Sequence, residues 1–298
     1  MVDQDVITAS EPTVELPIVR SIGAADLKDA LVKGVDDFCA MPTHVVFISL
    51  IYPIFAVVLG AVTLENNFAP DLYPFAAGFP LIGPVAAIGL YELSRRRELG
   101  LDTSWKHAFD VIHSRSLAAI VTLGLLLSVI FIIWLAIARA IYLANFGYEE
   151  ITSLTAFTHD LFATRQGHNV IVVGNFIGFL FALLAFSLSV VSFPLLLDRN
   201  VGVVAAALTS VRVVLTNPMT MALWGLIVVF SLLAGFLAFL FGLALVMPVL
   251  GHSTWHLYRK VVEPDAGPRP KYEPQPEVQR YAADFPAVLF SPRHTKGG

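Results

Sequence analysis

Five long stretches of the chain contain no Asp, Glu, Lys or Arg, and they constrain the fold more than any other feature. They are residues 38–64, 72–91, 116–138, 166–197 and 213–258, each at least 20 residues long. An apolar helix of about 20 residues crosses the roughly 30 Å of hydrocarbon in a bilayer. Charged residues make up only 14% of the chain, against about 25% in an average soluble domain. The sequence therefore predicts an all-α, polytopic membrane protein.

The last of these stretches is too long for one crossing. As a single helix its 46 residues would extend about 69 Å. Gly235 and Gly242 are the turn points inside it, and reversal there gives six spans. The predicted spans are about 43–64, 72–93, 117–139, 169–193, 219–236 and 239–258. A single crossing by 213–258, with five spans in all, is the alternative.

Basic residues test the number of spans because Lys and Arg near span ends collect on the cytoplasmic side. With six spans and both termini inside, 17 of the 19 Lys and Arg residues lie on that side. Arg139, at the outer end of the third span, and Arg165, in an external loop, are the exceptions. Five spans would export the basic C-terminal segment. We therefore predict a protein of the bacterial inner (plasma) membrane with both termini cytoplasmic.

A short amphipathic helix is predicted before the first, third and fifth spans, at about 24–40, 103–115 and 202–216. Its apolar residues follow the i, i+3, i+4, i+7 spacing of one helical stripe. The three stripes are Leu27, Ala30, Leu31, Gly34 and Phe38; Trp105, Ala108, Phe109 and Ile112; and Val204, Ala207, Leu208, Val211 and Leu215. The predicted fold is a transmembrane helical bundle of three tandem units, each an interfacial helix followed by a transmembrane hairpin.

The two ends of the chain differ from this membrane domain, which we place at 23–262. Residues 1–22 have no sustained apolar periodicity and predict a disordered cytoplasmic tail. Residues 263–298 are rich in proline and predict a second cytoplasmic tail.

Polar residues inside predicted spans are the first place to look for a site, because each is costly in a membrane unless it is paired. His252 and His256 are spaced i, i+4 on the sixth span and are candidate metal ligands, with His44 on the same side. The neighbouring Trp255 and Tyr258 favour anchoring at the membrane interface instead. No cofactor is predicted.

Two other groups of polar residues are candidates. Arg95, Arg96 and Arg97, with Lys106, either fix the topology, which we favour, or bind anionic lipid headgroups. The candidate polar residues within or beside spans are Glu92, Asn175 and Arg139. We find no phosphate-binding loop, metalloprotease motif or hydrolase nucleophile motif, so no catalytic residue is predicted. A net charge of −4 does not favour nucleic acid as a partner.

Several local motifs resemble a known family. Asp36-Asp37-Phe38 precedes Pro42, the segment 79–84 reads Phe-Pro-Leu-Ile-Gly-Pro, and Gly89-Leu90-Tyr91-Glu92 and Trp105 follow. The chain resembles, over about residues 20–262, the bacterial integral membrane family termed domain of unknown function 2189. The resemblance implies a bacterial inner-membrane setting and brings no activity, ligand or catalytic residue.

Two functions follow as hypotheses. The first is a non-enzymatic structural, accessory or assembly component that acts through helix packing and contacts with the lipid bilayer or a partner. That partner would be a second copy of the chain or a neighbouring respiratory complex. The alternative is a small-solute transporter or channel with a path between the three hairpins, near His44, Asn175 or His252. An enzyme within the membrane is the least favoured function.

Overall fold

The computed structural model describes residues 16–41, 69–78, 83–148, 154–238 and 242–264. The α-helices are α1 (Ala24–Ala40), α2 (Ala69–Gly78), α3 (Gly83–Ala86), α4 (Ile88–Glu98), α5 (Leu117–Phe146), α6 (Leu154–Ala163), α7 (Arg165–Ser189), α8 (Ser192–Asp198), α9 (Val203–Thr216), α10 (Pro218–Leu237) and α11 (Leu243–Val261). A 3-10 helix, Trp105–His113, lies between α4 and α5. The predicted all-α class is confirmed for these residues.

Among the described residues, three helical segments are long and apolar enough to cross a membrane: Leu117–Phe146, Arg165–Asp198 and Pro218–Leu237. The second comprises α7 and α8, which are separated by the two-residue turn at 190–191. These segments coincide with the predicted third, fourth and fifth spans. Each keeps large apolar side chains exposed on one side, for example Leu125, Phe179 and Phe230, as helices that contact lipid do.

The first, second and sixth predicted spans do not correspond to long apolar helices among the described residues. The first, 43–64, lies outside the described residues together with His44. In the second, 72–93, the residues outside 79–82 that the structure describes belong to α2, α3 and α4, with a turn at Ala87 between α3 and α4. Pro74 lies inside α2 and Pro84 in α3. The sixth corresponds to α11, in which the proportion of polar residues is higher than in any of the three long segments.

The chain reverses between α10 and α11, which pack against each other. Gly235 near the end of α10 and Gly242 before α11 lie in close contact: a Cβ atom added to Gly242 would be 2.7 Å from the Cα of Gly235. Close approach of two backbones requires residues without side chains. The turn therefore falls between the two predicted glycines, and the number of membrane crossings stays a prediction.

The predicted disordered N-terminal tail, 1–22, includes residues that make hydrogen bonds with the folded domain. The backbone N–H of Arg20 donates to the carbonyl of Val261 at 2.7 Å, and that of Glu263 donates to Ile18 at 2.9 Å. Asn217 also accepts from the N–H of Ile22 at 2.8 Å. Residues 18–22 therefore belong to the folded domain. Sequence periodicity could not detect them, because they pair with residues about 240 positions away as an extended segment.

The core lies where α4, α8 and α11 pack against one another. Helices at the three predicted interfacial positions surround it: α1 packs on α11, the 3-10 helix on α4, and α9 on α8. Small residues make two of these contacts close. A Cβ atom on Gly34 of α1 would be 2.6 Å from the backbone N of Ser253, and one on Gly89 of α4 would be 3.1 Å from the Cβ of Ala108.

Candidate functional site

A buried carboxylate lies where α1, α4 and α11 meet. Asp37 is one turn beyond Gly34 on α1, on the face that packs against α11, and it is only 3% exposed. Its Oδ2 accepts a hydrogen bond from Ser94 Oγ at 2.5 Å. His256 Nε2 lies 2.9 Å from the same oxygen, and the guanidinium of Arg97 donates to Oδ1. Three side chains from two other helices therefore engage one carboxylate.

Electrostatics favour the ionised form of Asp37. Burial alone would raise the pKa of this carboxyl group, because desolvation penalises charge. The hydrogen bonds from His256, Ser94 and Arg97 outweigh that effect and hold its pKa below the usual value. A charged carboxylate is thus stabilised by donors that the fold supplies.

The two histidines singled out in the sequence both lie in this cluster. His252 is fully buried, with Nδ1 2.7 Å from Ser94 Oγ and 4.0 Å from Asp37 Oδ2. His256, one turn later, contacts Asp37 directly. Within the described part of the chain, no group of three His, Cys, Asp or Glu residues could hold a metal ion. His256 therefore contacts the carboxylate of Asp37 directly, and His252 is connected to it through Ser94.

A second set of contacts joins α4 and α8 to α11. Glu98 accepts from Trp255 Nε1 at 3.0 Å and lies 2.8 Å from the guanidinium of Arg259. Asp198, the last residue of α8, accepts from Tyr258 Oη at 2.6 Å. The ends of these three helices are therefore connected by named hydrogen bonds as well as by apolar packing.

Lys260 connects α11 to α1 on the exposed side of the cluster. Its Nζ lies 2.9 Å from Asp29 and 3.5 Å from Asp26. The hydrogen bond from Lys260, with a second from Lys33, holds the pKa of Asp29 below its usual value. Exposed pairs of this kind stabilise a fold little, so the buried Asp37 contacts define the junction.

All three arginines of the predicted basic run have acceptors within the chain. Arg95 makes two hydrogen bonds to the buried Glu92, at 2.7 and 2.8 Å. Arg96 lies 3.2 Å from Asp110 and donates to a backbone carbonyl at 2.7 Å. Arg97 binds Asp37. Contact of the three arginines with lipid, or a role in fixing the topology, stays a prediction. Each of their charges has a carboxylate partner within the fold.

Lys106 differs from the arginine run. It is exposed on the 3-10 helix, and the described residues offer it no acidic partner within ion-pair distance.

The remaining polar candidates lie away from the Asp37 cluster. Asn175 of α7 accepts from Tyr73 Oη of α2 at 2.6 Å and donates to the carbonyl of Ile171 at 2.7 Å. The guanidinium of Arg139 lies over the ring of Tyr142, 5.6 Å from its centroid. Neither residue shares a partner with His252, so the structure does not bring these candidates to one site.

Sequence reasoning missed Asp37, Ser94 and Glu98 as members of a site. One signal was available for Asp37: it continues the buried series Leu27, Ala30, Gly34 at helical spacing. A carboxylate on the packing face of a helix needs a partner. The partners of Asp37 lie 57 residues or more away along the chain, so a local pattern cannot identify them.

The three long apolar segments define the class of the chain as a helical integral membrane protein. A family model described as predicted integral membrane protein (DUF2189) matches residues 72–198. This match confirms the resemblance seen in the sequence over α2 to α8, and the rest of the predicted range, 20–71 and 199–262, lies outside it. No match was found among curated proteins or among solved structures.

Proposed function

We propose that this protein is a non-enzymatic multi-pass membrane component with a structural, accessory or assembly role. The observation that carries the proposal is the closed state of the Asp37 cluster. Asp37, Ser94 and His252 are each at most 3% exposed, and the carboxylate is engaged by three donors. A catalytic base or nucleophile must reach its substrate, whereas hydrogen bonds and ion pairs that join side chains of α1, α4 and α11 at the buried Asp37 fix these helices relative to one another.

The packing of helices supports the proposed architecture of three tandem units. The 3-10 helix, which begins the second unit, packs on α4, which ends the first, and α9, which begins the third unit, packs on α8, which ends the second. Helix α1, which begins the first unit, packs on α11, which ends the third. The three ends, α4, α8 and α11, contact one another. A parallel triplication with six spans and both termini in the cytoplasm would place all these elements on the same side of a bacterial inner membrane. The concentration of charged groups there agrees with the positive-inside rule.

The exposed apolar surface supports a role that depends on contacts. On α5, α7 and α10, large apolar side chains such as Ile132, Phe176 and Leu226 are not covered by the described chain. Lipid covers such surfaces in a membrane, and a second copy or a respiratory complex would cover part of them in an assembly.

The transporter alternative has weaker support. Of the three residues placed along its path, Asn175 and His252 are bonded to different neighbours, and His44 lies outside the described residues. The small-solute path therefore remains a hypothesis without an observation that favours it.

Gentle purification of the full chain tests the proposal. A tagged protein extracted in a mild detergent should migrate as a stable homo-oligomer or retain a partner at a fixed stoichiometry, as measured by light scattering and mass spectrometry. A clean monomer without partners, together with solute uptake in reconstituted vesicles, would contradict it.

A further inference from the structure

The 3-10 helix presents a mixed basic and apolar face. Residues three apart in a 3-10 helix share a face, so Lys106, Phe109 and Ile112 form one row. Phe109 is 54% and Ile112 60% exposed, while Ala108 and Val111 on the other side are buried. Trp105 packs edge-to-face against Phe109, with ring centroids 6.2 Å apart. The helix is therefore fixed by its small residues and displays its large ones.

Helix α9 presents a similar face. Val204, Leu208, Arg212 and Leu215 follow helical spacing and are all exposed, Val204 by 68% and Leu215 by 73%. The opposite face is buried by small and hydroxyl residues. Ser192 of α8 donates to the carbonyl of Ala206 at 3.0 Å, and Ser210 accepts from the N–H of Val191 at 3.4 Å. Three residues of the apolar stripe of α9, Val204, Leu208 and Leu215, thus face outward.

A hydrogen bond connects the chain after the 3-10 helix with the chain before α9, and the exposed face of α9 continues into α10. Ser116, before α5, donates to the carbonyl of Arg199, which precedes α9, at 3.5 Å. Beyond Leu215 the exposed apolar surface continues through Met219 into α10. We call the exposed faces of the 3-10 helix and α9, with Lys106, Arg115 and Arg212, the basic rim.

Charge distinguishes the basic rim from the arginine run of α4. Lys106, Arg115 and Arg212 are exposed, and none has an acidic side chain within ion-pair distance in the ranges that the structure describes. Arg95, Arg96 and Arg97, in contrast, are compensated by Glu92, Asp110 and Asp37. The three cations of the basic rim thus lie among exposed aromatic and aliphatic side chains.

We propose that the basic rim is a binding surface for anionic phospholipids of the cytoplasmic leaflet. Its apolar rows enter the boundary between headgroups and acyl chains, and Lys106, Arg115 and Arg212 contact lipid phosphates, as surface-lying amphipathic helices do. The proposal rests on the membrane setting and topology of the proposed function. It assigns lipid contact to residues other than the arginine run.

Trp105 provides a reporter for this surface. Of the four tryptophans in the chain, Trp134, Trp224 and Trp255 are buried and Trp105 is 44% exposed. The full chain would be reconstituted in phosphatidylcholine vesicles containing 20 mol% (roughly one in five lipids) phosphatidylglycerol. Either lipid would carry brominated acyl chains, which quench indole fluorescence on contact. Comparison with a Trp105→Phe variant identifies the part of the quenched fluorescence that comes from Trp105.

We expect brominated phosphatidylglycerol to quench Trp105 more than its share of the bilayer predicts. Each engaged basic residue should add a preference of roughly fivefold. Lys106→Gln should lower the preference, and Lys106→Gln/Arg115→Gln/Arg212→Gln should abolish it. Lys28→Gln is the matched control, because Lys28 is an exposed lysine on α1 outside the rim. It removes the same charge and should leave the preference unchanged.

Two outcomes would overturn the proposal: random quenching in the unmodified chain, or an equal loss of preference in Lys28→Gln. A triple Lys106→Arg/Arg115→Lys/Arg212→Lys variant, which keeps every charge, should retain the preference and so excludes misfolding as the cause of a loss. Failure here is separable from failure of the proposed function. An oligomer or partner complex without lipid preference contradicts only the lipid proposal, and a monomer with the preference contradicts only the assembly role.

Discussion

Helices α1 and α9 come from the same sequence pattern but use opposite faces. In α1, the apolar positions Leu27, Ala30 and Gly34 are buried against α11, and Asp37 extends the buried face. In α9, Val204, Leu208 and Leu215 of the apolar stripe are exposed, and the buried face holds Ala206, Thr209 and Ser210. An apolar stripe alone therefore does not identify the protein-facing side of a helix in this chain.

The contrast has a physical cause. In a membrane, apolar side chains gain little from leaving lipid, so helices associate through small residues and hydrogen bonds. The buried face of α9 follows that rule. Helix α1 displays charged residues, including Lys28, Lys33 and Asp36, on its exposed side, which fits water rather than lipid. The face opposite the apolar stripe therefore distinguishes a helix that is exposed to water from one that is exposed to lipid: it is charged in α1 and consists of small and hydroxyl residues in α9.

The largest expected effect is at the contact between α1 and α11. Gly34→Ala would place a Cβ atom 2.6 Å from the backbone N of Ser253, so α1 must shift and should lose about 3 kcal/mol of stability. Gly225→Ala in α10 is the control, because nothing lies within 4 Å of its added Cβ atom. Thermal unfolding in detergent measures both. Equal melting temperatures for the two variants would show that α1 is not held by this contact.

Loss of the buried carboxylate should be the next largest effect. Asp37→Asn leaves Arg97 and His256 without their anion and should cost about 2 kcal/mol. Asp36→Asn changes the adjacent carboxylate, which is exposed, and should cost less than about 0.5 kcal/mol. Denaturation of both variants in parallel gives the difference. Similar losses would mean that overall charge, rather than the Asp37 cluster, fixes α1.

Acid should remove the Asp37 contribution. Its pKa is lowered in the folded state, so its stabilisation is present above the unfolded value of about 3.9. That stabilisation is lost as pH falls through the lower folded value. The stability difference between the unmodified chain and Asp37→Asn should therefore shrink as the pH falls below about 4. A difference that persists unchanged at pH 2 or below, roughly, would exclude the carboxylate charge as its source.

The smallest effects compare the two faces of α9. Ser210→Leu adds volume to the buried face and should cost about 1 to 2 kcal/mol. Leu208→Gln changes the exposed stripe and should cost less than about 0.5 kcal/mol in detergent. Melting curves of the two variants give the comparison. The reverse order would indicate that the apolar stripe of α9 packs against protein.

The sequence was sufficient to locate helices but not their neighbours. The predicted interfacial helices at 24–40, 103–115 and 202–216 agree with helices at Ala24–Ala40, Trp105–His113 and Val203–Thr216. Apolar runs located the three long segments for the same reason: length and charge are local properties. The stretch 72–93 was predicted as one span with breaks at Pro80 and Pro84, and its described residues belong to α2, α3 and α4.

The site depended on contacts that no local pattern contains. His252 and His256 were singled out as a pair on one helix face, and the structure places both beside Asp37. Their carboxylate partner lies 219 residues from His256 along the chain. Connecting the two histidines with Asp37 would have required a prediction that α1 packs on α11. The apolar stripe of α1 indicated which face of α1 is buried but not which helix it packs against.

Spin labels on the exposed faces of α1 and α9 test the central comparison most directly. After Cys39, the single cysteine, is replaced by Ser, a label at Val32→Cys reports on α1 and one at Leu208→Cys on α9, both exposed positions. In lipid vesicles, the label on α9 should collide more with oxygen, which partitions into lipid, and the label on α1 more with a water-soluble nickel complex. Preference for the nickel complex at both positions would contradict the assignment of α9 to the membrane surface.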